Sequence, residues 1–301
     1  MEKFFDGKTF GQKAALKLIT TSPNTVAKMV EDTLGIKFSQ PPVKIELNLP
    51  NRLLMTLFFP DTQLARSNSD LLRGQLEVGG RYFPEDNIYL VNLHDFHSEA
   101  AEIHENIHAF TYQTNPGLVK AAQAFSELFY AEQAADSHCA LTLIEEYMTV
   151  RIFDEGIAEW GKSEVIDRSY RSRGQDPDIQ RRVKFAQGIP NAPYLLNSYK
   201  SYLIGLEQFA INSLRLYQQV LNENNMSKKQ RLLEEGHKNS GVLSYSRTPI
   251  NWGPNFVDIV MDYLIGSGLY VSLALPLLIK NPPTHLRQLF DPMEYVSSIS
   301  G

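Results

Sequence analysis

The stretch SEAAEIHENIHAFTYQTNPG, Ser98 to Gly117, decides how this chain is read. Its first fifteen residues lack glycine and proline and keep helical spacing, and Asn115-Pro116-Gly117 stops the helix. Residues four apart share one helix face, so His104 and His108 stand one turn apart and both imidazoles can reach one ion. Glu105 projects from the same side, displaced around the axis, where it can meet a water without becoming a ligand. This is the H-E-x-x-H pattern. The plain alternative is an amphipathic helix carrying two satisfied histidines.

The residues before the helix favour the metal. Gln75 to Leu93, QLEVGGRYFPEDNIYLVNL, reads as a hairpin, with Gly79 and Gly80 marking an irregularity, PEDN the turn and IYLVNL the return strand. An antiparallel strand followed by a glycine-free helix bearing this motif is the arrangement of zincin proteases, where an edge strand pairs with extended substrate. NIYLVNL is the expected edge strand. Zn2+ is the expected ion.

Further upstream, GQKAALKLI and SPNTVAKMVEDTLG read as helices, with Ser22 as N-cap and Pro23 at the first helical position. Pro41 to Pro50 alternates as a strand, and Arg52 to Phe59 is apolar enough for strand or helix. After Ser98 strand signals nearly vanish. Helical spacing dominates from Leu118 to Tyr170 and again from Asn197 to Glu223. Arg168 to Arg182 and Asn224 to Gly241 are polar connections. Tyr263 to Lys280 is the most apolar stretch, but its glycines and proline predict a buried helix pair rather than a membrane span. Thr284 would cap a short helix that Pro292 helps to end. The expected fold class is α+β and zincin-like: a small mixed or antiparallel sheet with the motif helix, then a mainly helical C-terminal part. The expected division is residues 1–116 and 117–301, forming one catalytic unit with a cleft.

Composition narrows the partners. A net charge of −5 over 301 residues, with no long basic run, argues against nucleic acid and anionic membrane. The lone cysteine, Cys139, cannot form an internal disulfide, and the N-terminus lacks an apolar leader core. A cytoplasmic protein is expected.

A catalytic zinc takes three protein ligands and keeps one position open. An H-E-x-x-H helix extended by glycine and histidine would supply the third ligand itself. Thr111 and Thr114 stand at those positions, so the third ligand must be a later carboxylate. Glu155 and Glu132 each have an acid one turn on, Glu159 and Asp136, able to hold the outer N–H of a ligating histidine. Glu127 and Glu145 stand alone. Gly156 and Ala158 favour Glu155, because small residues let its helix approach the motif helix closely.

HENIH, then DEGIAEW, then YLIG at Tyr202 to Gly205, resembles the gluzincin metallopeptidases. There H-E-x-x-H is followed by E-G-x-A and a Y-x-x-G helix. The resemblance implies that Glu155 is the third ligand and that Tyr202 stabilises the oxyanion, with Tyr199 close by and His285 a distant alternative. The tail NPPTHLRQLFDPMEY is similar to an uncharacterised prokaryotic zincin-like group. Two departures stand out. The gap from His108 to Glu155 is longer than in thermolysin-like and aminopeptidase families, which keeps Glu132 in play. No G-x-M-E-N element precedes the motif, so aminopeptidase action is not implied.

The function expected is a zinc metallopeptidase. Its metal would be held by His104, His108 and Glu155, with Glu105 as the general base that passes a water proton to the leaving amine. A peptide or protein would be the substrate. Two other classes fit the same residues: a zinc hydrolase of a non-peptide amide, and a non-catalytic binding protein on this scaffold. An intact Glu105 argues against the last, because a silent site needs no base.

Overall fold

The computed structural model describes residues 10–20, 24–46, 49–58, 80–91, 98–120, 137–172, 204, 205, 212, 215, 216, 219, 222–229, 231, 232 and 247–299. Among them helices predominate, and one three-stranded mixed sheet completes an α+β chain. Contacts divide the chain into two compact units: Met1–Gln113 with Gly161–Gln175, and Thr114–Trp160 with Asp176–Gly301.

The first unit begins with α1 (Phe10–Ile19) and α2 (Thr25–Leu34). Asn24, rather than the expected Ser22, caps α2, because its Oδ1 accepts the Ala27 N–H at 3.0 Å. Gly35 ends α2 in the left-handed conformation, φ 67°. Strand β1 (Val43–Glu46) follows, and the ambiguous apolar run after it is helical, α3 (Leu49–Phe58), packed on α1. The hairpin then forms as expected: β2 (Gly80–Phe83), a turn through Pro84–Asn87, and β3 (Ile88–Val91). Asn87 adopts φ 52° in that turn, a conformation Asn tolerates.

One expectation about the sheet is corrected. Strand order is β1-β3-β2, so IYLV is the central strand, not the edge. It pairs antiparallel with β2 through Gly80–Val91 and parallel with β1 through Val43–Ile88. The parallel partner comes from far upstream, which is why all four β3 residues are buried. Among the described residues β2 is an edge.

The motif helix, α4 (Ser98–Thr114), is buried on nearly every side from Glu102 to Thr111. Ile103, Ile107 and Phe110 enter the core, and Phe110 meets Phe38 edge to face at 6.1 Å. Glu102 and Asn106, one turn apart, occupy a different face and anchor a polar network. Lys44 Nζ donates to Glu102 Oε1 at 2.7 Å and lies 3.1 Å from Glu46 Oε1. Asn24 Nδ2 donates to Asn106 Oδ1 at 3.0 Å and to the Pro42 carbonyl at 2.8 Å. The Tyr89 hydroxyl lies 3.0 Å from Asn24 Oδ1 and 3.3 Å from Glu102 Oε2. Such groups tolerate burial because each finds a partner. Burial alone would lower the Lys44 pKa; its bonds to Glu102 and Glu46 outweigh that and raise it. At the far end of α4, Gln113 Nε2 donates to the Gln40 carbonyl at 2.8 Å and to Asn87 Oδ1 at 3.0 Å. The motif helix is therefore tied to the lead-in of β1 and to the hairpin turn.

A continuous helix of 36 residues, α5 (Ser137–Ser172), spans the expected DEGIAEW helix. Its C-terminal stretch belongs to the first unit, where Arg168 Nη1 donates to the Thr33 carbonyl at 2.9 Å.

In the second unit, the described residues include the earlier part of α5 and the helices α6 (Arg247–Gly266), α7 (Val271–Lys280), α8 (Leu286–Phe290) and α9 (Pro292–Ile299). Helices α6 and α7 pack together as the expected pair, but the stretch from Tyr263 to Lys280 is only partly buried: Ala274, Leu275, Leu278 and Ile279 enter the core while Tyr263, Ile265, Tyr270, Leu273 and Leu277 are exposed. No helix among the described residues is long and apolar enough to cross a membrane. Phe256 of α6 sits between Phe153 of α5 and Tyr295 of α9, at 6.3 and 5.2 Å. Trp252 stacks on Phe290 at 4.8 Å and donates its Nε1–H to the Leu289 carbonyl. His285, not Thr284, is the cap residue of α8; the Gln288 side chain reaches back instead and accepts the Thr284 N–H at 2.8 Å. Pro292 opens α9, where its missing N–H costs nothing.

Candidate metal centre

His104 and His108 present their Nε2 atoms to each other at 2.9 Å, with ring centroids 4.6 Å apart. The helix runs unbroken through Thr111, whose hydroxyl donates to the Ile107 carbonyl at 3.0 Å, so both rings sit on regular helical backbone. Tyr112, one turn past His108, stacks near it at 6.3 Å and also stacks on Tyr82 of β2 at 6.0 Å. This aromatic series ties the His108 ring to the strand.

Glu105 is 3% exposed. It faces Gly80: a Cβ there would lie 2.8 Å from Glu105 Cγ and 3.2 Å from its Oε1. The glycine that looked like an irregularity in the hairpin is what lets the backbone of β2 come this close to the carboxylate.

Glu155 lies on α5 and is 7% exposed. One ligand atom each from His104, His108 and Glu155 lies within 4.8 Å of the other two. Two imidazole nitrogens and one carboxylate oxygen are a donor set suited to zinc and to other first-row divalent ions. Two nitrogens bound to one tetrahedral zinc stand roughly 3.3 Å apart, so opening the histidine pair by a few tenths of an ångström admits the ion. The residues present fit a divalent metal.

The expected reason for Glu155 needs correction. Gly156 does not serve an approach to the motif helix: a Cβ on it would lie 2.5 Å from the backbone of Gly253 in α6. The close approach to α4 belongs to Gly161, where a Cβ would lie 3.0 Å from Ile107 Cδ1. Gly161 is six residues beyond Glu155 on the same helix, within two turns.

Arg151 was not apparent from the sequence as part of the site. It is one turn before Glu155, and its Nη2 lies 2.6 Å from Glu155 Oε1, while its Nη1 lies 3.9 Å from Asp154 Oδ2. The R-x-x-D-E spacing was the available signal. Of the other candidates, Glu145 is described and lies outside the three-residue group, with its carbonyl accepting the Thr149 hydroxyl at 2.7 Å. Glu159, a turn after Glu155, is half-buried. His285 is exposed and lies 3.9 Å from Glu294. Tyr202, Tyr199, Glu132, Asp136 and Glu127 fall outside the described residues. Compared with protein-family models, curated proteins and solved structures, the chain finds no match in any of the three.

Proposed function

We propose that this chain is a zinc-dependent peptidase of zincin-like architecture, with His104, His108 and Glu155 as metal ligands and Glu105 as general base. The observation that carries the reading is the convergence of two histidines and a sequence-distant glutamate to within 4.8 Å, all three chosen by an H-E-x-x-H pattern and a later E-G-x-A. Three protein ligands leave one position for water and substrate. Zinc held there supplies Lewis acidity toward a carbonyl oxygen and toward water.

The remaining roles belong to the chain itself. Glu105 takes the proton from the attacking water and delivers it to the departing amine. Its burial and the absence of a side chain at Gly80 hold the carboxylate beside the strand. Strand β2, an edge among the described residues, offers main-chain groups to an extended peptide. That would bring a scissile carbonyl alongside Glu105. Tyr202 is the proposed oxyanion donor on the strength of Y-L-I-G.

Metal analysis and a peptide library test the reading together. Wild type should bind zinc stoichiometrically and cleave a subset of peptides. His104→Ala should lose the zinc. Glu105→Gln should keep it and lose at least about 100-fold in turnover. Zinc-loaded wild type that cleaves no peptide overturns the activity. If Glu155→Ala keeps full zinc affinity while Glu132→Ala loses it, the third ligand is Glu132.

A further inference from the structure

Glu155 already has a cation, and that cation sits on its own helix. Arg151 Nη2 contacts Glu155 Oε1 at 2.6 Å, from one turn upstream. A buried carboxylate needs a compensating charge, and at 7% exposure solvent does not supply it. A divalent ion at the His104–His108–Glu155 cluster would need the same carboxylate. Two cations drawing on one carboxylate repel each other, and a donated N–H withdraws lone-pair density from the oxygen. A second carboxylate stands in reach. Asp154 is 1% exposed, and its Oδ2 is 3.9 Å from Arg151 Nη1. A shift of roughly 1 Å would bring that pair to hydrogen-bonding distance. Arg151, Asp154 and Glu155 share one helix, so the exchange requires a side-chain movement and no change of backbone.

We propose that Arg151 is a placeholder cation: it neutralises Glu155 in the protein without metal and passes to Asp154 when a divalent ion takes that carboxylate. The proposal rests on the metal-site reading above. It makes Arg151 a positioning residue that sets how tightly the ion is held. It trades metal affinity for stability of the metal-free chain.

The test uses the full chain stripped with a chelator and titrated with Zn2+ against a chromophoric competitor, alongside thermal melts. Arg151→Met should melt lower than wild type without zinc, bind zinc about tenfold tighter, and show a larger zinc-induced rise in melting temperature. Asp154→Asn, which leaves the displaced guanidinium without its second carboxylate, should bind zinc about tenfold more weakly. If Arg151→Met does not fold without zinc, Arg151→Lys carries the test: it should bind zinc more tightly than wild type, by less than the tenfold expected of methionine. Equal or weaker zinc binding in Arg151→Met, or in Arg151→Lys where that is the variant used, overturns the placeholder. Unchanged or tighter binding in Asp154→Asn overturns the transfer. Wild type that binds no zinc, or His104→Ala that binds it as wild type does, overturns the metal site itself. Zinc bound by wild type and lost in His104→Ala, but unmoved by Arg151→Met, overturns this proposal alone.

Discussion

Gly156 of α5 and Gly253 of α6 meet backbone to backbone: a Cβ on Gly253 would lie 2.2 Å from the Ile152 carbonyl oxygen and 2.7 Å from Gly156 Cα. No rotamer change relieves such a clash, because the obstructing atoms are main chain. Gly253→Ala should therefore force the helices apart and destabilise the second unit by about 2 kcal/mol or more. Chemical denaturation of the variant against wild type checks this. A loss within 0.5 kcal/mol would show that α6 can slide to make room.

Gly80→Ala tests the other close approach. The added methyl meets Glu105 Cγ, which belongs to a side chain, so the strand can persist while the carboxylate is displaced. On the proposed mechanism, zinc affinity should stay within twofold of wild type while turnover falls about 10- to 100-fold. Metal titration and peptide cleavage, measured on the same preparation, separate the two effects. Unaltered turnover would mean that Glu105 is placed without help from β2.

Asn24→Ala removes four hydrogen bonds at once. Ala27 N–H loses its cap, the Pro42 carbonyl and Asn106 Oδ1 each lose a donor, and the Tyr89 hydroxyl loses one of its partners. A cap alone is worth about 1 kcal/mol, and buried groups left unsatisfied add to that. The expected loss is about 2–3 kcal/mol, read from urea midpoints. Because the network reaches the motif helix through Asn106, hydrogen exchange of α4 amides should speed up in the same variant.

Tyr89 gives a pH dependence. Burial first, then the Glu102 carboxylate, hold its phenol well above the ordinary tyrosine range. The unfolded chain releases that proton near pH 10 and the folded chain keeps it. Above that pH the unfolded state binds fewer protons, so stability falls as pH rises. The tyrosine's contribution is whole below pH 10 and declines above it. Tyr89→Phe should flatten the decline by up to about 1.4 kcal/mol per pH unit. Urea unfolding from pH 8 to 11.5 gives the slopes. Parallel slopes in variant and wild type would assign the alkaline loss to other groups.

The local signals in the sequence were sufficient wherever chemistry and geometry lie within one element. Residues Ser98 to Thr114 form a helix because nothing in them interrupts one, and Asn115-Pro116-Gly117 ends it. PEDN turns the hairpin as its composition predicts. The cap falls at Asn24 rather than Ser22 because both residue types cap helices and only the backbone conformation selects between them. The partner of Gly156 lies beyond the reach of local signals for a different reason. A small residue announces a close approach but does not name the partner, and the partner, Gly253, is distant in sequence.

By itself, the sequence determined the two imidazoles on one helical turn, the acid beside them and the carboxylates able to complete a metal site, because a 3.6-residue repeat converts spacing directly into direction. Only the tertiary structure decided that IYLV lies at the centre of the sheet, that Gly80 opens space for Glu105, and that Glu155 lies near the histidines with Arg151 already on its oxygen. The pairing of β1 with β3 and the convergence on Glu155 join residues far apart along the chain. The strand pairing is fixed by main-chain hydrogen bonds and the burial of all four β3 residues rather than by any local preference.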